Sequence, residues 1–94
     1  VNHLADSLME LNCSFDCGID QEGIIDLKIL QKLDVNDNEK IKNVNHLANT
    51  LLELHCISNS GIDQKGIQDL KKLRILYVNN NEKIKNVNHL ANTL

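Results

Sequence analysis

Residues 30–38 read LQKLDVNDN, and the order of apolar and polar residues in this stretch decides the fold. This nine-residue pattern has leucine at its first and fourth places, a small apolar residue at its sixth, and asparagine or aspartate at its ninth. It occurs four times, with starts 22, 21 and 22 residues apart. A fixed short period of this kind predicts stacked supersecondary units instead of one closed core. The four copies begin at Leu8, Leu30, Leu51 and Leu73.

A longer period of 43 residues contains two of these copies. Residues 1–43 and 44–86 differ at 15 positions and are identical at the other 28. The chain has no proline, and no Gly/Ser-rich linker interrupts it. We therefore predict one array over residues 1–94, with a half-repeat at each end and no internal domain boundary.

Each copy is predicted to form a short strand followed by a return segment. Alternate side chains of a strand point to opposite faces, so the second leucine and the residue two places later enter the same interior. Successive strands then pair in parallel, with the return segment as the crossover. The predicted strands are residues 11–13, 33–35, 54–56 and 76–78, in sequence order.

The return segments alternate between two sequences. The first kind places apolar residues in steps of three, three and four, which suits a tight 3₁₀ or short α turn with Asn43 as its N-cap. In the second kind, Asp63 is placed to cap a short helix. Ile67 and Leu70 of that helix are expected to face inward, and Gly66 to weaken it.

The polar residue that closes each copy is predicted to satisfy main-chain groups. An asparagine amide both donates and accepts hydrogen bonds, so it can serve its own copy and a neighbouring one. We expect buried side chains bonded to the main chain at Asn38, Asn59 and Asn81. Asp16 takes the same place but only accepts when ionised, so this first position should be weaker.

The four copies resemble the repeats of leucine-rich-repeat proteins, and the resemblance covers the chain from Leu8 onward. It implies an α/β solenoid with a parallel β-sheet on its concave face and short α or 3₁₀ return segments. It also implies a recognition module that presents the concave face to a protein or peptide. Because the sequence begins and ends inside repeats, we expect a section of a longer protein.

Composition excludes several classes of function. The net charge of −3 argues against a general nucleic-acid or anionic-membrane surface. No apolar run reaches transmembrane length. Aromatic residues make up only 2% of the chain, which is thin for a compact domain but sufficient for stacked units that bury Leu, Ile and Val.

The three cysteines favour a reducing, intracellular compartment. Cys13 and Cys56 occupy an inward strand position, where a cysteine acts as a small buried hydrophobe. They lie two strand spacings apart, about 9.6 Å, which exceeds the limit of about 7 Å between the Cα atoms of bridged cysteines. Cys17 is expected to be exposed and reactive. An odd number of cysteines, two of them with inward-facing thiols, also favours a reducing compartment.

Three histidines recur at one position of the return segments, at His3, His46 and His89. A functional interpretation of this recurrence is an array of metal-binding histidines, but equivalent residues two units apart are separated by about 9.6 Å. Zinc–nitrogen bonds measure about 2 Å. We therefore expect surface or half-buried structural histidines, and predict neither a metal nor a cofactor.

The outward strand positions form the candidate binding face. Ten pairs of outward or rim positions can be compared between the two halves, and eight pairs differ, against seven of the other 33 positions. Exposed residues of the return segments, such as Lys40/Lys83 and Lys42/Lys85, have not changed, so the change is concentrated on one face. The candidate binding residues are Asn12, Phe15, Lys32, Asp34, Glu53, His55, Ile57, Ile75, Tyr77 and Asn79.

Protein binding on this face is favoured over catalysis. Ile57, Ile75 and Tyr77 are predicted to form a small exposed apolar patch, the usual kind of anchor for a protein partner. Glu53 and His55 share the face, but no nucleophile, deep pocket or phosphate-binding glycine loop accompanies them, so we do not predict an enzyme. The alternative is a structural, self-assembling element without a separate ligand. The identity of residues 44–51 and 87–94 (VNHLANTL) suits such end-to-end extension.

Overall fold

The computed structural model describes residues 9–15 and 17–90. Their four strands form one parallel sheet in the order β1-β2-β3-β4. This confirms the prediction of four parallel strands in sequence order, although each strand begins and ends one residue earlier than predicted. The strands are β1 (Glu10–Asn12), β2 (Lys32–Asp34), β3 (Glu53–His55) and β4 (Ile75–Tyr77). We call each strand with its return segment a unit, and name the unit by its strand.

Short helical turns form the return segments. The α-helix α1 (Gln21–Ile25) follows β1, and 3₁₀ turns follow the other three strands at Asn45–Leu47, Lys65–Ile67 and Asn88–Leu90. No helix in the described ranges is long and apolar enough to cross a membrane. The chain thus combines a parallel sheet with short helical turns in an α/β arrangement.

Aspartate and asparagine side chains accept hydrogen bonds from the backbone at the starts of these turns. The Asp63 carboxylate accepts the backbone N–H of Gly66 at 2.8 Å, which confirms its predicted capping role. Asp20 caps α1 in the same way. The Asn43 side chain accepts the N–H of Asn45 at 2.9 Å, so it too bonds the first turn of its helix. These bonds satisfy donors that a helix start leaves without intrahelical partners.

The core lies between the sheet and the return segments. Leu33 and Leu54 pair in register at the centre of the sheet and are fully buried, whereas Leu11 and Leu76 on the two outer strands are partly buried. Burying one such side chain contributes about 1.5–3 kcal/mol. The return segments supply the rest of the core. As predicted, it includes Ile41, Val44, Leu47, Leu51, Ile67 and Leu70.

Two of the three predicted asparagines are buried and bonded to the main chain. Asn38 donates to the carbonyl of Cys13 at 2.9 Å, and Asn81 donates to the carbonyl of Cys56 at 2.8 Å. The prediction is wrong for Asn59, which is exposed. The buried polar residue in that unit is Ser60, one position later. Asp16 lies outside the described residues.

The difference follows from which carbonyl needs a donor. The carbonyl of Val35 already accepts a hydrogen bond from the backbone N–H of Asn38, at 3.1 Å, in a turn of its own unit. If Asn59 were buried as Asn38 and Asn81 are, its side-chain amide would donate to this Val35 carbonyl. Because the carbonyl already has a donor, the amide of Asn59 is not required. The carbonyls of Cys13 and Cys56 instead depend on the asparagine of the next unit. Buried asparagines therefore recur in every second unit.

The cysteine predictions are confirmed in part. Cys13 and Cys56 are fully buried, and burial raises the pKa of the Cys56 thiol to about 12. Cys17 is exposed, as predicted, but the prediction that it is reactive is wrong, because the structure joins it to Cys13 as a disulfide. Their Cα atoms are 5.1 Å apart, within the usual range for a bridge. A spacing of four residues across the turn after β1 brings the two together.

Candidate binding surface

The outward side chains of the four strands form two rows, which we call the open face. Parallel pairing in register places one residue of each strand in each row. Because side chains alternate along a strand, both rows point away from the buried leucines of the same strands. The first row is Glu10, Lys32, Glu53 and Ile75, and the second is Asn12, Asp34, His55 and Tyr77.

A continuous line of contacts crosses the open face from β2 to β4. The Lys32 Nζ lies 3.6 Å from the Glu53 Oε2, and the same oxygen is 2.6 Å from the His55 Nε2. The His55 ring then packs on the Tyr77 ring, with centroids 4.4 Å apart and planes inclined by 32°. Four of the ten candidate residues are thus held together by direct contacts.

Glu53 is the electrostatic centre of this line. An ionised carboxylate only accepts hydrogen bonds, so the Nε2 of His55 donates to it. This bond lowers the pKa of Glu53, and the charge of Lys32 adds to the effect while partial burial opposes it. Glu53 therefore stays negative at neutral pH and fixes the orientation of the imidazole against Tyr77.

The β1 side of the open face is polar and slightly recessed. The Asp34 carboxylate accepts the Ser14 hydroxyl at 2.6 Å and the Asn36 backbone N–H at 3.2 Å. The Asn12 side chain accepts the N–H of Ser14 at 3.1 Å. A depression of about 240 Å³ lies between these strands. It is lined by Glu10, Leu11, Asn12, Lys32, Asp34 and His55.

The β4 side is apolar and exposed. Ile75 and Tyr77, the first and last residues of β4, each have 44% of their surface exposed, although both side chains are large and apolar or aromatic. Ile57 and Asn79 lie just beyond the ends of β3 and β4, where Ile57 is partly buried and Asn79 exposed. Phe15 is 68% exposed but follows β1, at the opposite edge of the sheet from Tyr77. Four of the ten predicted residues therefore form a charged and aromatic line, and Phe15 lies apart from it.

Three residues of this surface were predicted to face outward but are not among the ten candidate binding residues. Glu10 lines the depression, Ser14 binds Asp34, and Asn36 accepts the N–H of Ile57 at 2.8 Å. Glu10 and Asn36 have the same residue types as the candidates Glu53 and Asn79 at the equivalent positions of the other half. Their outward position in the strand pattern is the signal that identifies them.

The turn after each strand contains a backbone conformation that the sequence pattern did not reveal. In each unit, the third residue after the strand has a positive φ, between 58° and 61°, in the left-handed region. Two of these residues are an aspartate and an asparagine, which tolerate this region best among non-glycine residues. The four residues are Phe15, Asp37, Ser58 and Asn80. The recurrence gives all four units the same turn at the rim of the open face.

The recurrent histidines contact the main chain of the preceding unit. The Nε2 of His46 lies 2.9 Å from the carbonyl oxygen of Ile24, and His89 makes the equivalent contact with Ile67 at 3.1 Å. Within the described ranges, no group of three or more His, Cys, Asp or Glu side chains is placed to hold a metal ion. His3 lies outside those ranges. The contacts found are structural ones.

Comparison with known proteins gives no family or relative for the chain. No protein-family model matches it, and no curated protein or solved structure matches it either.

Proposed function

We propose that the chain is a leucine-rich-repeat solenoid module that binds a protein or peptide through the open face, which would be its concave side. One observation carries the proposal. The differences between the two halves of the sequence concentrate on this face and its rim, and the register of the sheet brings the varied strand residues side by side. The inward strand residues and several exposed residues of the return segments, such as Lys42 and Lys85, have stayed the same.

The chemistry of the open face defines the kind of partner. Its β4 side offers Ile75 and Tyr77, an exposed apolar pair suited to an aliphatic or aromatic anchor. Its β1 side offers the carboxylates of Glu10 and Asp34 around a depression, suited to a basic side chain. An extended peptide that crosses the strands, with an apolar residue at one end and a basic one at the other, complements both.

Catalysis is not part of the proposal. The Glu53–His55 pair is the group most able to move a proton, but it is engaged with Lys32 and Tyr77 on an open surface. An open surface leaves the pair in contact with water, where acid–base groups are weak catalysts without a positioned substrate. A pair held in this way is better suited to orient Tyr77 for binding.

Selection of ligands from a random peptide library tests the proposal. Enriched peptides should carry an apolar anchor and a basic residue. Their affinity should fall by about 30-fold on Tyr77→Ala, since an anchor residue contributes about 2 kcal/mol or more. The matched control replaces Lys42 and Lys85, two exposed lysines of the return segments, with alanine.

The control separates the two sides of the molecule. The lysine variant should bind the enriched peptides as the original chain does. If the peptides instead depend on Lys42 and Lys85 and tolerate Tyr77→Ala, the binding site lies on the return segments and the proposal is wrong.

A further inference from the structure

The open face carries two kinds of contact group, and the strand register sets the distance between them. A carboxylate pair, Glu10 and Asp34, lines the depression at β1 and β2, and an apolar pair, Ile75 and Tyr77, lies on β4. All four residues belong to the two outward rows of the sheet. They therefore lie on this face whatever number of units the array contains.

The depression keeps a negative charge because its lysine is engaged elsewhere. The Lys32 Nζ lies 3.6 Å from the Glu53 Oε2, which directs its charge toward β3. The Asp34 carboxylate is held in place by the Ser14 hydroxyl at 2.6 Å, and the Glu10 side chain is exposed. Two carboxylates around one depression suit the guanidinium or ammonium group of a basic side chain.

The distance between the carboxylate pair and the apolar pair follows from the spacing of the strands. Neighbouring strands of a sheet lie about 4.8 Å apart. Strand β4 is two spacings from β2 and three from β1. These separations are about 9.6 Å and about 14.4 Å, so a ligand that contacts both pairs must bridge about 10–14 Å across the sheet.

An extended peptide meets this distance at only one separation of its side chains. Each residue of an extended chain advances by about 3.3 Å, and alternate side chains point to opposite sides. Two side chains directed at the same surface are therefore an even number of residues apart. Separations of two, four and six residues correspond to about 7, 13 and 20 Å, and only four falls in the range. A separation of three has a suitable length but turns one side chain away from the sheet.

Strand β3 lies between the two pairs and supplies little selectivity. The Glu53 carboxylate is bonded to the His55 Nε2 at 2.6 Å, and the His55 ring packs against Tyr77. The middle side chain of a crossing peptide lies above these groups, which are engaged with one another. It can therefore be small or polar without loss of affinity.

We propose that the ligand of the open face is an extended peptide with a basic residue and an aliphatic or aromatic residue four positions apart. The basic side chain enters the depression, and the apolar side chain packs on Ile75 and Tyr77. Either order of the two residues along the peptide meets the same distance. This motif rests on the proposed function, which it narrows from a kind of partner to a sequence.

A series of synthetic peptides tests the separation directly. The peptides are capped at both ends and carry one arginine and one leucine in a serine–threonine background, in both orders, two to six positions apart. Calorimetric titration of the full chain should give the highest affinity at a separation of four. Separations of three and five should weaken binding by about tenfold or more, because the peptide then places only one of the two side chains on the face.

Variants of the chain test where the arginine binds. Glu10→Gln should weaken the peptide with a separation of four by about fivefold, since it removes a charge from the depression. The same variant should not affect a peptide in which glutamine replaces the arginine, so the two changes are coupled. Asp34→Asn should behave in the same way. The matched control, Glu82→Gln, removes a charge from an exposed position of a return segment and should leave both peptides unaffected.

Three outcomes would contradict the motif and still leave the open face as the binding surface. The first is binding that depends on Tyr77 but is strongest at a separation other than four. The second is equal affinity at every separation, because the two side chains would then bind without a fixed geometry. The third is no binding by any peptide of the series while the library selection returns other peptides that depend on Tyr77.

A different result would overturn both proposals. If the peptides bind and Tyr77→Ala leaves their affinity unchanged, the open face is not the binding surface. The motif then has no site, and the proposed function is wrong as well.

Discussion

The two faces of the sheet use the duplicated sequence in opposite ways. On the inward face, Leu33 and Leu76 hold equivalent places in the two halves, as do Leu11 and Leu54, and the residue type is constant. On the open face, Asp34 becomes Tyr77 at the same register position. Packing against a neighbouring unit limits which side chains fit inside, whereas an outward residue can change with little cost in stability. The comparison separates the part of each unit that builds the fold from the part that is free to recognise a partner.

Alanine substitutions on the two faces should give the largest contrast. Leu54→Ala should lower the free energy of unfolding by about 2–5 kcal/mol, because it leaves a cavity between two neighbouring units. Tyr77→Ala should cost about 1 kcal/mol, mainly the ring contact with His55. Urea unfolding measures both values. Equal losses would contradict the division between the two faces.

The asparagines sharpen the same contrast among polar residues. Asn38→Ala should cost about 1–3 kcal/mol, since it leaves the carbonyl of Cys13 and the N–H of Lys40 without the Asn38 side chain. Asn59→Ala, at an exposed side chain, should change stability by no more than about 0.5 kcal/mol. The same urea titration compares them. A large loss at Asn59 would show that every unit, and not every second one, depends on a buried amide.

A pH dependence should arise on the return-segment side from His46. Burial lowers its pKa below the ordinary value of 6.5, and this outweighs the carbonyls of Ile24 and Leu27, which favour the charged form. The neutral ring is therefore favoured by folding. Its contribution to stability is fully present above pH 6.5 and is lost as the pH falls through the lowered pKa.

A glutamine at this position provides the test. Thermal melting from pH 8 to pH 5 should show a small decline, since part of the ring is exposed. His46→Gln keeps an N–H for the Ile24 carbonyl and should remove the decline. An unchanged decline in the variant would assign the effect to other groups.

The smallest expected effect is electrostatic and lies on the open face. Replacing His55 with glutamine should raise the pKa of Glu53 toward its ordinary range, because it alters the hydrogen bond that contributes most to the lowering. Carboxyl carbon shifts followed by NMR measure this pKa. A value that does not move would make Lys32 the main cause. The matched Lys32→Gln variant should raise it less.

The repeat spacing predicted most of the architecture. Leucines at a fixed spacing can satisfy one interior only, so the parallel order of the strands and the inward residues followed from sequence. The capping role of Asp63 followed as well, because its distance from Gly66 is local. These features depend on neighbours along the chain or on a strict period.

Features that depend on two units at once escaped prediction. Asn59 is exposed because the carbonyl of Val35 is already satisfied within its own unit. Gly66 was expected only to weaken a helix, yet it also allows the Lys42 backbone to approach. The Cys13–Cys17 bridge depends on the turn after β1, where Phe15 adopts a positive φ. The residues of the open face could be predicted from the repeat period. The line of contacts through Glu53 could not, because it depends on side-chain conformations that the period does not specify.

An NMR titration with a library-selected peptide tests most directly whether the open face is the binding surface. We expect the amide signals of β3 and β4, at Glu53–His55 and Ile75–Tyr77, to shift with peptide concentration. Signals of the exposed lysines Lys42 and Lys85 should stay in place. Shifts confined to the return segments, with β3 and β4 unaffected, would contradict the account.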